Sequence, residues 1–449
     1  MKRRDFLLSG ALLVVAAGTG TLAKGAEPEG AKAQGPLIIS APMLQNYAET
    51  SIGIAFAVSD MANGYVLYGE KEDLSDARKA VCGGYRVTGM NDKVMLVRLT
   101  GLRSATKYYY RIGADRIDYR SGYRMYVTGN EEAPQIYSFT TAGKGARAHF
   151  CVINDTHIQK VPFGLAIEKI VSLNPSCVVW NGDACTVNET IDEQVKIFLD
   201  PDIERKDYAS GIPYLFCPGN HDDRGMANRH LEKVWMYRQP EERSSRDWDL
   251  GRNFAVRMGD IAMIGLDTGE DKVDTNPKFA GLFNYTEYRK AQTLWLKDVL
   301  SLKEIKNAPF LVAFCHIPLF DADPLHNPGD IYPDDTDSRY TLTRAEWQRP
   351  CARMWTPLLE KAGCQLIITG HQHRYRYDAP TKERPWGQIV GGGPEMGFEG
   401  KGANRHPDAG KFPTVIEGKV EKGKLRVIAY NLMSGEVLDN LTFDKRKRK

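Results

Sequence analysis

Apolar residues recur with two different periods along the chain, and the change of period divides the chain into two parts. Between residues 36 and 142, short runs alternate apolar and polar side chains, as half-buried strands do. These predicted strands are Ile52–Val58, Gly64–Tyr68, Lys93–Leu99, Lys107–Ile112 and Gln135–Thr140. Turn signals such as Asn63-Gly64 lie between them, and no helical period occurs before about residue 160. The pattern predicts a small, all-β sandwich over residues 36–142.

After a Gly-rich joint, the pattern from residue 147 to 443 is that of an α/β fold. Its predicted strands are continuous apolar runs, typical of strands buried on both faces: His149–Ile153, Cys177–Trp180, Pro213–Phe216, Ile261–Leu266, Phe310–Phe314 and Gln365–Thr369. Helices are predicted over Phe163–Leu173 and Tyr285–Leu302. The second helix should face inward with Tyr288, Ala291, Leu294, Trp295, Val299 and Leu302. Strands return after residue 386 and are expected to complete a second sheet of the same domain.

The first residues have the pattern of an export signal. Arg3 and Arg4 precede the apolar run Leu7–Ala17, and Thr21–Ala23 offers a small-residue cleavage site. The segment 1–23 resembles a twin-arginine signal peptide; a general secretory signal is the alternative. Residues 24–35 are interpreted as a linker. The apolar run is too short to span a bilayer, so we expect a mature protein without a transmembrane segment, periplasmic or extracellular.

The net charge of +3 hides an uneven distribution. Removing the +2 of Lys2–Asp5 and the +5 of Lys445–Lys449 leaves about −4 for the rest, which disfavours a nucleic-acid partner. The basic tail over residues 444–449 is interpreted as a solvated end. Of the eight cysteines, most lie in apolar runs, and no Cys-x-x-Cys pair occurs. We expect mainly free, buried thiols, with a disulfide of Cys351 or Cys82 left open.

Polar side chains with metal-binding chemistry follow five of the predicted strands. They are Asp155 and His157, Asp183, Asn220, His316, and His371 and His373. Taken singly, each segment has an ordinary interpretation as a turn or a loop. Because ligands bind at the carboxyl ends of strands in open α/β sheets, we expect all of them to converge on one crevice.

Two carboxylates, four imidazoles and one carboxamide are too many ligands for one tetrahedral zinc ion, but they suit two divalent ions. Asp183 is the natural bridge. Asp155, His157 and His373 would complete one site; Asn220, His316 and His371 would complete the other. Two such ions polarise a phosphoryl group and hold a hydroxide at neutral pH.

The order Asp-x-His, Gly-Asp, Gly-Asn-His-Asp, His and Gly-His-x-His is similar to that of the calcineurin-like metallophosphoesterases. Because a predicted β-sandwich precedes this segment in the chain, the order of domains resembles that of purple acid phosphatases. The resemblance implies a four-layer α/β/β/α domain over residues 147–443, with two sheets packed face to face and a dinuclear centre at one edge. It also implies that His221 contacts the phosphate and helps protonate the leaving oxygen, with Asp222 orienting its ring.

Two positions depart from purple acid phosphatases. His157 stands where they have glycine, and Thr186 stands where they have a tyrosine ligand. A phenolate helps to hold ferric iron and gives the colour, so we expect a colourless or weakly coloured pair of Mn, Fe(II) or Zn ions. In the sandwich, Leu102–Tyr108 resembles the tyrosine corner of a fibronectin type III domain, in which a tyrosine bonds a backbone group upstream.

The sequence therefore predicts an exported hydrolase that cleaves a small phosphate ester by attack of metal-bound hydroxide, with monoesters favoured by analogy. A nucleotide phosphodiesterase or pyrophosphatase remains open. So does a different class, an adhesion or glycan-binding protein with a vestigial metal domain. The Pro/Asp-rich insertion Phe320–Trp347 is expected to influence substrate choice. Trp386 and the turn Gly391–Glu395 are expected at the rim of the crevice that holds the metal ligands. No oligomeric state is predicted.

Overall fold

Two large mixed β-sheets lie face to face at the centre of the structure, a computed structural model that describes residues 35–82, 92–237, 250–272, 274–320, 351–394 and 412–446. Residues from Pro36 onward form a single compact unit. Helices cover the outer faces of both sheets, and a smaller sheet packs beside one end. The predicted four-layer arrangement is confirmed.

The first sheet has nine strands. In chain order they are β1 Met43–Gln45, β2 Ile52–Ala57, β5 Val94–Leu99, β9 His149–Ile153, β10 Cys177–Trp180, β11 Tyr214–Phe216, β18 Thr414–Glu421, β19 Lys424–Asn431 and β20 Val437–Phe443. Their spatial order is β20-β19-β18-β9-β10-β11-β1-β2-β5. The central strands β9, β10, β11 and β1 run parallel to one another. Strand β18 pairs antiparallel with β9, so the C-terminal strands extend this sheet. The expectation that they complete the second sheet is wrong.

The second sheet has six strands, in the order β12-β13-β14-β15-β17-β16. They are β12 Phe254–Met258, β13 Ile261–Leu266, β14 Phe310–Cys315, β15 Leu366–Thr369, β16 Arg376–Asp378 and β17 Gly387–Val390. Strands β13, β14, β15 and β17 are parallel, with antiparallel strands at both edges.

Alternate side chains of the central strands fill two different cores. Phe150 and Val152 of β9 pack between the sheets, against residues such as Phe314. Cys151 and Ile153 of the same strand face the helical layer. A strand buried on both faces has few polar positions, so the polar residues that follow its apolar run lie beyond the carboxyl end of the strand.

The helices are α1 Lys160–Leu173, α2 Ile191–Phe198, α3 Tyr285–Ser301 and α4 Lys303–Lys306, with a further helical stretch over residues 351–361. Short 3₁₀ helices span His221–Asp223, Asn228–Lys233, Leu250–Arg252 and Pro277–Phe279. Helix α2 begins with a capping box between Thr190 and Glu193. The predicted inner face of α3 is partly wrong, because Leu294 and Leu302 are exposed whereas Arg289 and Gln292 are buried.

The expected N-terminal sandwich is present. Its outer sheet has the order β4-β3-β6-β7, with β8 paired to the first part of β6. The strands are β3 Ala62–Gly69, β4 Arg78–Val81, β6 Lys107–Ser121, β7 Arg124–Glu132 and β8 Tyr137–Thr140. This sheet packs on β2 and β5 through one apolar cluster. Tyr108 Oη accepts a 2.9 Å hydrogen bond from the backbone N–H of Arg103, as the tyrosine-corner resemblance implies.

Strands from both sides of the predicted domain boundary at residues 142–147 share the nine-stranded sheet, because β1 pairs with β11. The boundary itself stays a prediction. All eight cysteines are free thiols, seven of them buried, so neither Cys351 nor Cys82 forms a disulfide. Within the described ranges, none of the helices combines the length and apolar content needed to cross a bilayer.

Candidate metal centre

The seven predicted ligands lie together, each just beyond the carboxyl end of a strand. Asp155 and His157 follow β9, Asp183 follows β10 and Asn220 follows β11 in the nine-stranded sheet. His316 follows β14, and His371 and His373 follow β15 in the six-stranded sheet. Their acidic and imidazole members form two groups with potential ligand atoms within 4.8 Å of one another: Asp155, His157, Asp183 and His373; and Asp183, His316 and His371. Asp183 belongs to both groups.

In the first group, nitrogen and oxygen lone pairs point at one place. His157 Nε2 and His373 Nε2 are 3.0 Å apart, and His373 Nε2 is 3.2 Å from Asp155 Oδ1. Asp183 Oδ2 closes the group at 3.6 Å from His157 Nε2. These atoms are buried, apart from the partly exposed His373, and a small cation would satisfy all of them at once.

The second group uses the same oxygen of Asp183, whose Oδ2 lies 3.2 Å from His316 Nε2. Asn220 joins it through a 2.9 Å contact between its Oδ1 and His371 Nδ1. This pairing is the one that the sequence predicts for the second ion. The position of Asp183 Oδ2 between both groups is what a bridging carboxylate requires.

Two buried atoms of the centre, Asp155 Oδ1 and His316 Nε2, make no hydrogen bond of suitable geometry in the described part of the chain, although each lies 3.2 Å from another ligand atom. Buried polar atoms are normally satisfied, so these two atoms fit roles as ligands of the two ions. His316 Nδ1 lies 2.8 Å from the carbonyl of Asn181, to which it donates. That hydrogen bond fixes the tautomer and leaves Nε2 as a ligand atom. The residues present therefore fit two divalent ions.

The pKa values of the metal-free chain show which of these groups are already in the form that binds a metal ion. Burial alone would raise the pKa of Asp155, but His316 and His373 lower it to about 2. Burial opposes protonation of His316, yet Asp183 and Asp155 raise its pKa to about 10. Burial lowers the pKa of His157 and of His371 to about 4, which keeps both imidazoles neutral. Anionic carboxylates and neutral imidazoles are the forms that bind metal ions, so His157 and His371 are already in that form, whereas His316 has to release a proton when a metal ion binds.

The backbone is strained at this centre. Five of the seven predicted ligands have a positive φ: Asp155, His157, Asp183, His371 and His373. This conformation is uncommon for residues with a Cβ and clusters at functional sites. Gly182 has a φ of 84°, and a Cβ there would overlap the ring of His316. The strain lets each chain segment turn back sharply while its side chain stays in the crevice.

His221 is held in place by Thr186 and by the backbone, and not by Asp222. His221 Nδ1 lies 2.8 Å from the carbonyl of Thr186, to which it donates. The carboxylate of Asp222 instead accepts from the backbone amides of residues 183, 184 and 219, at 2.8, 3.0 and 2.8 Å. The expectation that Asp222 orients the ring of His221 is wrong, because these amides use its oxygens to tie two ligand loops together. Thr186 Oγ1 also lies 3.2 Å from His157 Nδ1.

Sequence reasoning missed Arg224. Its Nη1 lies 3.0 Å from His221 Nε2, while its other nitrogens pair with Glu270 and Asp271. Little in the sequence indicates this contact, because Glu270 and Asp271 lie in the loop after β13, far from Arg224 along the chain. Only the position of Arg224 just after the Gly-Asn-His-Asp segment could have suggested it.

Two expectations about the rim have different outcomes. Gly391 and Gly393 do lie beside the centre, packed against Asn154 and His373. Trp386 does not: it is buried in the helical layer, where its Nε1 donates to Glu360 at 3.0 Å. It precedes β17, and the centre lies beyond the other end of that strand. The insertion Phe320–Trp347 lies outside the described residues except for Phe320, and so does Glu395.

Comparisons with known proteins place this geometry in a family. Residues 148–375 match the family model described as calcineurin-like phosphoesterase. Purple acid phosphatase 18 from Arabidopsis thaliana is 23% identical over 334 residues, which are 70% of this chain and 64% of that protein. The chain thus spans less than two thirds of the length of this relative.

Two solved structures share the fold. A purple acid phosphatase, PPD1, from yellow lupin (Lupinus luteus) seeds has a TM-score of 0.62 at 15% identity, covering 91% of this chain and 75% of that one. PhoD has a TM-score of 0.60 at 11% identity, covering 92% and 94%. The matched family segment is half of the chain and contains all seven predicted ligands. This chain belongs to the calcineurin-like phosphoesterase family.

Proposed function

We propose that this protein is an exported, metal-dependent phosphoester hydrolase that prefers monoesters. The observation that carries the proposal is the pair of ligand groups sharing Asp183 Oδ2. A pair of divalent ions held there would polarise the phosphoryl group and activate water. We infer Mn, Fe(II) or Zn, because Thr186 offers no phenolate for ferric iron.

The chain's own residues would orient the ester and move the proton. His221 is held by Thr186 through Nδ1, so a proton for the leaving oxygen would come from Nε2 of its imidazolium form. The backbone N–H of His221 donates to Asp183 Oδ1 at 2.9 Å, which fixes the imidazole relative to the bridge. Positioning of this kind is what a general acid requires.

Hydrolysis of p-nitrophenyl phosphate and bis-p-nitrophenyl phosphate tests the proposal. Purified protein is analysed for metal, stripped with a chelator, and reloaded with Mn²⁺ or Zn²⁺. We expect turnover that disappears on chelation, returns on reloading, and is faster for the monoester. A faster reaction with nucleotide diesters or pyrophosphates would identify the alternative hydrolase. Two bound ions without turnover of any ester would favour the adhesion or glycan-binding alternative.

Export is a separate part of the proposal, supported by the N-terminal sequence. Cell fractionation of the producing organism tests it, with Arg3→Lys plus Arg4→Lys as the variant. Twin-arginine export should fail in the double variant, whereas a general secretory signal should tolerate it. Wild-type protein that stays in the cytoplasm would contradict export altogether.

A further inference from the structure

Arg224 places a fixed positive charge at the mouth of the candidate metal centre. It follows the 3₁₀ helix His221–Asp223, and its Nη1 lies 3.0 Å from His221 Nε2. Its side chain is 21% exposed, whereas those of Asp155 and His316 are 0% exposed. Arg224, like the 26% exposed ligand His373, therefore lies at the partly exposed side of the centre, from which a substrate would enter.

The anchoring of Arg224 leaves one edge of the guanidinium for a ligand. Arg224 Nε and Nη2 donate to the two oxygens of Glu270 at 2.9 and 2.6 Å, and Nη2 also donates to Asp271 at 2.7 Å. Glu270 is fully buried, so this side of the guanidinium is held rigidly. Nη1 points at His221 and remains the donor directed toward the centre.

The hydrogen bonds of His221 show which contacts Arg224 Nη1 can make. Because Nδ1 donates to the carbonyl of Thr186, a neutral His221 presents an acceptor at Nε2, and Arg224 Nη1 donates to it. An oxygen that approaches Nε2 from the mouth must therefore also meet the guanidinium. A phosphoryl oxygen placed there would replace His221 Nε2 as the acceptor for Arg224 Nη1.

We propose that Arg224 binds the phosphoryl group of the substrate together with His221 and selects for phosphate monoesters. This inference rests on the proposed function. A monoester carries up to two negative charges on its phosphoryl group and a diester only one, so a fixed guanidinium stabilises the bound monoester more. Arginine suits this role, since its fork can pair with a carboxylate on one side and a phosphate on the other.

The test compares Arg224→Gln with Lys272→Gln in protein loaded with Mn²⁺ or Zn²⁺. Lys272 is the matched control: its Nζ pairs with Asp271 at 2.6 Å, so its loss removes one positive charge from the same cluster but leaves the Arg224–His221 contact. The Kd of inorganic phosphate is measured by calorimetry, and KM and kcat are measured for the two nitrophenyl esters. Metal content and the thermal midpoint are measured for every variant.

We expect Arg224→Gln to weaken phosphate binding and raise KM for the monoester by about tenfold each, with about threefold or less for the diester. Metal content should be unchanged, and Lys272→Gln should bind phosphate like wild type. If Arg224→Gln does not fold, Arg224→Lys is compared instead. Its single ammonium cannot hold Glu270 and reach the phosphate together, so it should also bind phosphate more weakly than wild type.

The outcomes separate the two proposals. Equal phosphate affinity in wild type and the folded Arg224 variant overturns the role of Arg224, whatever the esters show. Equal losses for both esters overturn the selection for monoesters. Phosphate binding that depends on Arg224, without turnover of any ester, overturns the hydrolase function alone.

Discussion

At the residue scale, Asp183 is the side chain on which the metal centre depends most. Its Oδ2 serves both ligand groups, and its Oδ1 accepts from the backbone of His221. Asp183→Asn keeps the shape but removes the charge, so we expect loss of at least one ion per chain. Metal analysis of the purified variant measures this. The exposed Asp202→Asn is the control, and full occupancy in Asp183→Asn would contradict the bridging assignment.

His221 should behave in the opposite way, because it is beside the ligands without being one of them. We expect His221→Ala to retain both ions and to lose activity by roughly 10²–10⁴-fold, as removal of a general acid does. Steady-state kinetics and metal content are measured on the same preparation. The exposed His230→Ala should leave both unchanged. Metal loss in step with activity would show that His221 has been assigned the wrong role.

At the scale of elements, the turns that follow the strands require particular residues, as the ligand positions do. Gly182 combines a φ of 84° with a position where a Cβ would lie 2.8 Å from Gly219 Cα and overlap His316. We expect Gly182→Ala to lose metal and to destabilise the fold by roughly 1–3 kcal/mol.

Gly101→Ala is a matched control, since Gly101 has a φ of 66° but no atom within 4 Å of the added Cβ. It isolates the cost of the backbone conformation. Metal content and chemical denaturation are compared for the two variants. Equal behaviour would mean that close packing behind His316 is unimportant.

The central strands were predictable because burial on both faces makes them continuously apolar. β9, β10 and β13 have the predicted bounds. Strands without such a signal were missed, among them β4 and β7, whose side chains are mostly exposed. On α3, Gln292 is buried because its amide donates to Asn253 Oδ1 and to the carbonyl of Asp267, at 2.8 and 2.6 Å. Hydrophobic periodicity cannot anticipate such a polar contact.

At the scale of the whole molecule, the sandwich and the metal-binding part are joined through one sheet. β1 pairs with β11, and Tyr110 Oη donates to the carbonyl of Ser210 at 2.7 Å. A fragment of residues 147–449 would leave β11 as an exposed edge. We expect it to aggregate or bind metal poorly, whereas residues 35–449 fold cooperatively. Size-exclusion chromatography and circular dichroism check this. A soluble, folded fragment that binds metal would show that the sandwich is dispensable.

The sequence by itself determined the fold class and the identity of the seven candidate ligands. Both follow from local sequence patterns: the polar ligands come directly after apolar runs that form buried strands, and the carboxyl ends of parallel strands lie on the same side of a sheet. Only the tertiary structure decided how the C-terminal strands pair, what Asp222 bonds and where Arg224 points. Those contacts join segments that are distant along the chain, or choose between several nearby partners, and no local pattern encodes that choice.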